Sequence, residues 1–325
     1  NNRLLLLALA QIKNAVSAAL ERVGPARVAI VLGTSTSGIA EGEAAVAALV
    51  REGKLPPGFY YSQQEIGTAA LFLARYLGSS GPAYTVSTAC TSSAKALASA
   101  RSLLRAGLCD VAIAGGADSL CQLTVGGCTA LESTTADISN PMSRNRRGIN
   151  IGEGAALLLL TRDPAPVELL GVGESSDAHH ISAPEPGGRG AEAAMRAALA
   201  DAALLPEAVD YLNLHATATP KNDEMESLAT SRVFSQGVAC SGTKPLTGHT
   251  LGAAGATEAV FCWLALQGDG RLPPHVWDGE SDPALPPLRL VARGDRFARS
   301  HRRVCMSNSF AFGGSNVSLL LGDAR

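Results

Sequence analysis

The chain has 325 residues, of which 34 are glycine, 46% are hydrophobic and 17% are charged. This composition excludes an intrinsically disordered chain and predicts a large buried core. The net charge is −2, from 27 basic and 29 acidic residues, so no basic excess is available for a phosphate backbone and we expect no nucleic-acid partner.

The cysteine pattern and the chain start bear on the compartment. The seven cysteines form no CxxC pair and mostly lie in apolar runs, which favours a reducing cytoplasm over a disulfide framework. Residues 3–11 resemble a signal peptide, but the apolar spacing continues through Ile12, Val16 and Val23 and predicts one amphipathic helix. No apolar run approaches the roughly 18 residues of a membrane span, so we expect no membrane association.

Helices and strands alternate along the first half of the sequence. After the opening helix, periodicity predicts strands at 27–32, 83–87, 110–114 and 151–161, and helices at 63–77 and 91–106. Pro164 and Pro166 then interrupt the pattern. We therefore divide the chain into an N-terminal half, 1–162, and a C-terminal half, 163–325.

The second half repeats this order of elements. Helices are predicted at 190–203 and 251–266, and strands at 211–214, 238–241, 304–307 and 317–321. The repeat has no fixed period, which excludes a solenoid. It indicates a duplicated α/β unit whose two copies pack as layers of helices and sheets.

Cys90 carries the strongest chemical signal. It lies between a predicted strand and a helix of small residues, and its flanks are small and polar. At a helix N-terminus, free N–H groups and the helix dipole stabilise a thiolate, so we expect the Cys90 pKa to be lowered and the thiol to act as a nucleophile. Most of the other six cysteines are expected to be structural.

Two histidines and a glycine turn complete the set of candidates. His215 and His249 each follow a strand in a Gly/Thr/Ser-rich turn. There is no HExxH, and His179 and His180 lack a third ligand, so no metal site is predicted. Gly313 and Gly314 lie in a tight turn between two strands, where backbone N–H groups can form an oxyanion hole.

Four segments together resemble the signature blocks of the β-ketoacyl-acyl carrier protein synthases, the decarboxylating branch of the thiolase superfamily. They are TACTSS at 88–93, HATATP at 215–220, KPLTGHTLGAAGA at 244–256 and NSFAFGGSN at 308–316. They occur in order across the whole chain. The resemblance implies the thiolase fold, a duplicated five-layer α-β-α-β-α arrangement, in a homodimer or a heterodimer with a related chain.

The resemblance also implies roles for individual residues. Cys90 matches the acyl-accepting nucleophile, and His215 and His249 match the pair that activates the malonyl thioester. The remaining matches are Lys244 and its partner Glu258, the acidic Asp223 and Glu226, Phe312 as oxyanion donor and gate, and Thr217 and Thr219 along the phosphopantetheine tunnel.

The implied reaction is a decarboxylative Claisen condensation in fatty acid, polyketide or polyene biosynthesis. Cys90 takes the acyl group as a thioester, the histidines stabilise the enolate formed as malonyl carrier loses carbon dioxide, and the carbanion attacks the acyl group. The partner is acyl carrier protein, and no cofactor is expected beyond its phosphopantetheine arm. Two arginine clusters are candidate docking sites for the acidic carrier: Arg144, Arg146 and Arg147, and Arg299, Arg302 and Arg303.

Several positions depart from the family pattern. Ala216, Ala218 and Ala311 stand where glycine is usual, and Arg147 replaces a common aspartate. Met142 and Ile149 replace rings that commonly shape the acyl pocket, and with the polar segment 63–65 they favour an unsaturated or aryl-bearing acyl group. The family's opening strand is absent from the sequence, so we expect that it was either removed or omitted.

Two groups of alternatives remain open. A thiolase would carry a second cysteine in the glycine block at 308–316. A starter-type condensing enzyme would carry an asparagine in place of His249. A non-catalytic chain-length partner would lack Cys90. From another class, a cysteine-dependent thioester hydrolase shares the thiolate chemistry and would release free acid.

Overall fold

The computed structural model describes residues 1–298 and 302–324. In the first half, four strands form one sheet in the spatial order β2-β1-β3-β4. They are β1 (Val28–Gly33), β2 (Ala83–Val86), β3 (Val111–Asp118) and β4 (Gly154–Thr161). The first three run parallel, and β4 pairs antiparallel with β3.

The second sheet has the spatial order β5-β10-β9-β6-β7-β8. Its strands are β5 (Val167–Ser176), β6 (Tyr211–Asn213), β7 (Ala239–Ser241), β8 (Arg289–Leu290), β9 (Val304–Phe310) and β10 (Ser315–Asp323). The run β7-β6-β9-β10 repeats the order and directions of β2-β1-β3-β4. The prediction of a duplicated α/β unit is therefore confirmed by the topology.

Helices cover both sheets and separate them. In the described residues they are α1 (Asn2–Val23), α2 (Ile39–Glu52), α3 (Thr68–Leu77), α4 (Ser92–Arg105), α5 (Gln122–Ala130), α6 (Arg189–Asp201), α7 (Pro220–Val233), α8 (Lys244–Thr247) and α9 (Ala254–Gln267). Strand β1 shows how the layers form, because alternate side chains point to opposite faces of a sheet. Ala29 and Val31 join a core with α4 and α9, whereas Ile30 joins a core with α1 and α3.

The second sheet is buried on both faces in the same way. Leu319 and Leu321 of β10 face the core of α4 and α9, and Leu320 faces a third core with α6 and α7. The order of layers is therefore α1 and α3, sheet, α4 and α9, sheet, α6 and α7. This is the five-layer arrangement that the resemblance implied.

Several elements differ from the sequence prediction. The helices that were not predicted are α2, α5, α7 and α8. The strands that were not predicted are β8 and β5, which starts directly after the prolines at 164 and 166. Helix α7 has only a narrow apolar stripe, Met225, Ala229 and Val233. Its buried face also includes Asn222, Asp223 and Glu226, so the apolar periodicity is weak. The predicted helix at 63–77 begins only at Thr68.

Helix α1 also corrects the expectation that no segment is long enough to span a membrane. By length and composition, α1 qualifies, and it does so alone among the helices in the part of the chain that the structure describes. Its Leu5, Leu9, Val16 and Ala19 side chains are buried against the first sheet. Burial of one helix face in this way is what a core helix of a folded domain requires.

Candidate active site

Cys90 lies in a tight turn between β2 and α4. The preceding residue, Ala89, has a φ of 52°, a left-handed conformation that side chains other than glycine rarely adopt. Its carbonyl accepts hydrogen bonds from the Ser92 hydroxyl (2.5 Å), the Ser92 backbone N–H (3.1 Å) and the Ser35 hydroxyl (3.1 Å). These bonds hold the strained turn that presents the Cys90 sulfur.

The two predicted histidines meet this sulfur from the second half. His215 follows β6, and His249 follows α8, just after β7, the strand equivalent to β2. The Nε2 atom of His249 lies 3.0 Å from Cys90 Sγ, and one ring nitrogen of each histidine and the sulfur all lie within 4.8 Å of one another. The two imidazole rings meet edge to face, with centroids 5.4 Å apart.

Lys244 fixes the orientation of His215. Its buried ammonium bonds Glu258 Oε1 and the His215 carbonyl oxygen, each at 2.5 Å, and lies 3.5 Å from His215 Nδ1. A lysine ammonium is only a donor, so Nδ1 must accept and the ring proton sits on Nε2. His215 is therefore held as a hydrogen-bond donor, and Glu258 balances the lysine charge as the sequence match implied.

The same tautomer argues against a metal at this cluster. Three donor atoms within 4.8 Å could geometrically surround an ion, and zinc would need a lone pair from each imidazole nitrogen. Because Lys244 faces His215 Nδ1, the Nε2 atom of His215 is protonated and has no lone pair for a metal. The charge of Lys244 also repels a cation. The donor set fits hydrogen bonding to a substrate better, and the absence of a metal requirement stays a prediction.

Burial sets the charges of the catalytic groups. It raises the pKa of the Cys90 thiol to about 12, against the opposing effects of Lys244 and the Phe312 backbone N–H. Burial, with the charge of Lys244, holds the pKa of both His215 and His249 well below the ordinary imidazole value. The expectation of a lowered Cys90 pKa is therefore wrong, because desolvation outweighs the favourable groups around the sulfur.

The loop after His215 is strained and braced. Ala216 and Ala218 adopt φ values of 42° and 61°, which explains why glycine would be the ordinary choice there. Glu226 accepts the backbone N–H groups of His215 and Ala216, each at 2.7 Å, and Asp223 accepts that of Ala218 at 3.2 Å. Both carboxyl groups are fully buried, which raises their pKa to about 6 for Asp223 and about 7 for Glu226.

The glycine turn closes the site above Cys90. A hydrogen bond from the backbone N–H of Phe312 acts to lower the pKa of the Cys90 thiol, and Phe312 is 40% exposed. Its role as oxyanion donor and gate stays a prediction. Gly313, at φ 82°, donates its N–H to the Ile181 carbonyl at 2.7 Å. The turn therefore depends on glycine and is tied to the loop that follows β5.

A cavity of about 560 Å³ is lined by Cys90 and both histidines. Thr217 and Thr219, whose hydroxyls are 2.9 Å apart, line it together with His215, His249 and Phe312. Further lining residues come from α5 and the segments after it: Leu123, Thr124, Gly127, Cys128, Leu131 and Ile149. One continuous space thus runs from the threonines past Cys90 to α5.

Family models match both halves of the chain. The β-ketoacyl synthase N-terminal domain matches residues 2–165, and the C-terminal domain of the same family matches residues 167–276. The chain belongs to the β-ketoacyl synthase family.

Relatives agree with this assignment. A ketosynthase from Xenorhabdus doucetiae, solved in complex with its chain length factor, is 49% identical, has a TM-score of 0.95 and aligns with 100% of this chain and 81% of its own chain. Nodulation protein E of Rhizobium meliloti is 40% identical over 77% of this chain, and the mitochondrial 3-oxoacyl-[acyl-carrier-protein] synthase of Arabidopsis thaliana is 35% identical over 81%. The chain spans 64% and 61% of the lengths of these two proteins.

Two features that were predicted to shape the acyl pocket, Met142 and segment 63–65, lie outside the cavity lining. Ile149 lines the cavity, but Met142 does not. Met142 is buried in the third core, where its backbone N–H donates to Asp223 and its sulfur accepts from Ser227. Segment 63–65 also lies outside the cavity lining, with the Gln64 side chain packed against Gly42 of α2.

The two arginine clusters do not form continuous basic surfaces. Arg146 is buried and paired with Asp282 and Glu224, and Arg303 is buried and paired with Asp323. Arg144 pairs with Glu280, and Arg302 with Glu168. Arg299 lies outside the described residues. Arg147 is exposed, and docking of the acidic carrier on these clusters stays a prediction.

Sequence reasoning missed several polar residues around the site. Asp118 ends β3 and is fully buried beside the Cys90 turn, and Asp177 lines the cavity and accepts from Asn316 at 2.7 Å. Asp118 could have been found, because it is the acidic residue that ends an otherwise apolar strand. Cys128, which the sequence did not single out, also lines the cavity.

Proposed function

We propose that this protein is a β-ketoacyl-acyl carrier protein synthase that condenses malonyl carrier with an acyl group held on Cys90. The observation that carries the proposal is the contact of 3.0 Å between Cys90 Sγ and His249 Nε2, with the second histidine in the same cavity. This geometry supports a nucleophile and two hydrogen-bond donors that act on one reacting centre.

The nucleophile forms by proton transfer within the cysteine–histidine contact. Both partners are neutral at rest, so the Cys90 proton moves to His249 Nε2 as the sulfur attacks the acyl thioester. The thioester carbonyl oxygen becomes an oxyanion beside the Phe312 N–H. The tetrahedral intermediate then collapses, and the departing carrier thiol takes the proton from His249. The acyl group is left on Cys90.

The second half-reaction uses the histidines as donors. Malonyl carrier enters past Thr217 and Thr219, and its thioester oxygen accepts hydrogen bonds from His215 and from His249 in the tautomer that carries its proton on Nε2. Carbon dioxide leaves, and the enolate carbon attacks the Cys90 thioester. The sulfur departs as a thiolate when the new carbon–carbon bond forms, and a proton from solvent restores the thiol. The α5 side of the cavity, with Cys128 and Ile149, receives the acyl chain.

The partners of the reaction follow from the same chemistry and from the relatives. Acyl carrier protein delivers both substrates, and a related chain, such as a chain length factor, completes a dimer. The X. doucetiae ketosynthase solved with its chain length factor supports this, as does β2, a sheet-edge strand with half-buried side chains. The seven free cysteines favour a reducing compartment such as the cytoplasm.

Intact-mass analysis of the carrier tests the proposal. The protein is incubated with malonyl carrier and a panel of saturated and unsaturated acyl carriers, alone and with a candidate partner chain. Condensation predicts a carrier-bound product two carbons longer than the acyl donor, with one carbon dioxide released per product. Release of free acid without an extended carrier adduct would indicate the hydrolase alternative.

A further inference from the structure

The carboxylate of Asp118 joins separate segments around the nucleophile. It is fully buried at the end of β3. It accepts hydrogen bonds from the Thr34 hydroxyl (2.5 Å), the Thr36 hydroxyl (2.8 Å) and the backbone N–H groups of Ser35 and Thr36 (2.8 Å each). The loop after β1 is therefore folded around this one side chain.

Asp118 also contacts the second half of the molecule. Its other oxygen accepts the backbone N–H of Ala253 at 3.2 Å, four residues after His249. A Cβ atom at Gly252 would lie 2.7 Å from Asp118 Oδ2, so this segment packs directly on the carboxylate. The strand that carries Asp118 and the segment that follows His249 are thus fixed to each other.

Ser35 extends this network to the cysteine turn. Its hydroxyl donates to the Ala89 carbonyl at 3.1 Å, one residue before Cys90. Ala89 is held in the left-handed conformation, which costs roughly 1–3 kcal/mol and persists only where neighbours enforce it. A hydrogen bond at this carbonyl restrains the peptide that orients the Cys90 side chain.

We propose that Asp118 and Ser35 are positioning residues for the nucleophile: together they hold the Cys90 turn against the second half so that the sulfur stays in contact with His249. Neither residue takes part in proton transfer. Their contribution is to the rate of acyl transfer to Cys90, because a misplacement of about 1 Å at a reacting atom can cost about a hundredfold. The proposal rests on the proposed function only in naming acyl transfer as the step affected.

Two serines of the same loop provide a matched comparison. Ser37 lies two residues beyond Ser35, and its hydroxyl donates to the Glu65 carbonyl at 2.8 Å, away from the cysteine. Ser35→Ala therefore removes the bond to Ala89, whereas Ser37→Ala removes a bond of similar strength from the same loop. Asp118→Asn disturbs the centre of the network and serves as a further variant.

The test measures acylation of Cys90 by acyl carrier in single turnovers, with the melting temperature of each variant. Ser35→Ala should lower the saturated acylation rate about threefold to tenfold, the effect of one neutral hydrogen bond, and leave the half-saturating carrier concentration unchanged. Ser37→Ala should stay within about twofold of the parent. Malonyl decarboxylation in a Cys90→Gln background should not respond to Ser35→Ala.

Two results would overturn the inference. One is a Ser35→Ala variant that acylates at the parent rate, and the other is equal loss in Ser35→Ala and Ser37→Ala, which would indicate general loosening of the loop. If Asp118→Asn fails to fold, the serine pair still decides. A parent protein that is never acylated on Cys90 would refute the proposed function instead, so the two failures are distinguishable.

Discussion

Cys90, His215 and His249 are neutral together, because burial raises the pKa of the thiol and lowers that of each imidazole. A neutral imidazole donates a hydrogen bond to a thioester oxygen without a charge that must first be desolvated. A neutral thiol avoids the cost of a buried thiolate until the acyl group arrives. Cys90 and both histidines therefore carry no charge before either half-reaction begins.

Separate variants should divide the two half-reactions. Cys90→Gln should abolish chain extension and retain or raise malonyl decarboxylation, because both histidine donors remain. His215→Ala and His249→Ala should each slow decarboxylation about a hundredfold to a thousandfold, the usual cost of one oxyanion donor. Carbon dioxide release from malonyl carrier provides the measurement, and parent rates in both histidine variants would refute the assigned roles.

The lowered histidine pKa values predict the pH dependence of decarboxylation. An imidazole with a lowered pKa stays neutral as the pH falls through its ordinary value of 6.5. In the Cys90→Gln variant, the decarboxylation rate should therefore stay constant from about pH 8 to below about pH 6.5, and fall only at lower pH. A transition centred near pH 6.5 would contradict the neutral, buried state of the pair.

At the scale of elements, Lys244 at the start of α8 links α9 to the end of β6 through Glu258 and the His215 carbonyl. Lys244→Met leaves the Glu258 carboxylate buried without its counter-charge, which should cost about 3–5 kcal/mol in the free energy of unfolding. Urea denaturation measures this cost. The deficit should shrink as the pH is lowered, because protonation of Glu258, whose pKa burial already raises, removes the unpaired charge.

The double variant Lys244→Met with Glu258→Gln is the control for this prediction. It removes both charges and should recover part of the lost stability. A loss below about 1 kcal/mol in Lys244→Met alone would show that the buried pair does not stabilise the junction of these elements.

Helix α5 should limit the length of the acyl group. Gly126 and Gly127 both have open space where a Cβ would stand, but only Gly127 lines the cavity. Gly127→Leu should lower the rate with long acyl donors by about tenfold or more relative to short ones, whereas Gly126→Leu should not change the profile. The measurement is acylation of Cys90 across donors of increasing length, and identical profiles for the two variants would place the acyl chain elsewhere.

At the scale of the whole molecule, the duplicated fold could be predicted because buried strands and small-residue turns repeat along the sequence. Cys90 follows β2 and His249 follows β7, and these strands are equivalent in the two halves. The repeated order of predicted elements indicates that equivalence from the sequence alone. Asp118 was missed because its partners lie in loops 34–36 and 253, which only the packed halves bring together. Met142 was misplaced because its left-handed backbone, φ 64°, turns its side chain into the core.

The central claim is that Cys90 carries the acyl group, and peptide mapping after exposure to an acyl-carrier thioester tests it most directly. The protein is digested and the mass of each cysteine peptide is measured, with Cys90→Ala as the control. We predict an acyl adduct on the Cys90 peptide alone, lost in the variant. An adduct on Cys128, the other cysteine lining the cavity, with Cys90 unmodified would contradict the account.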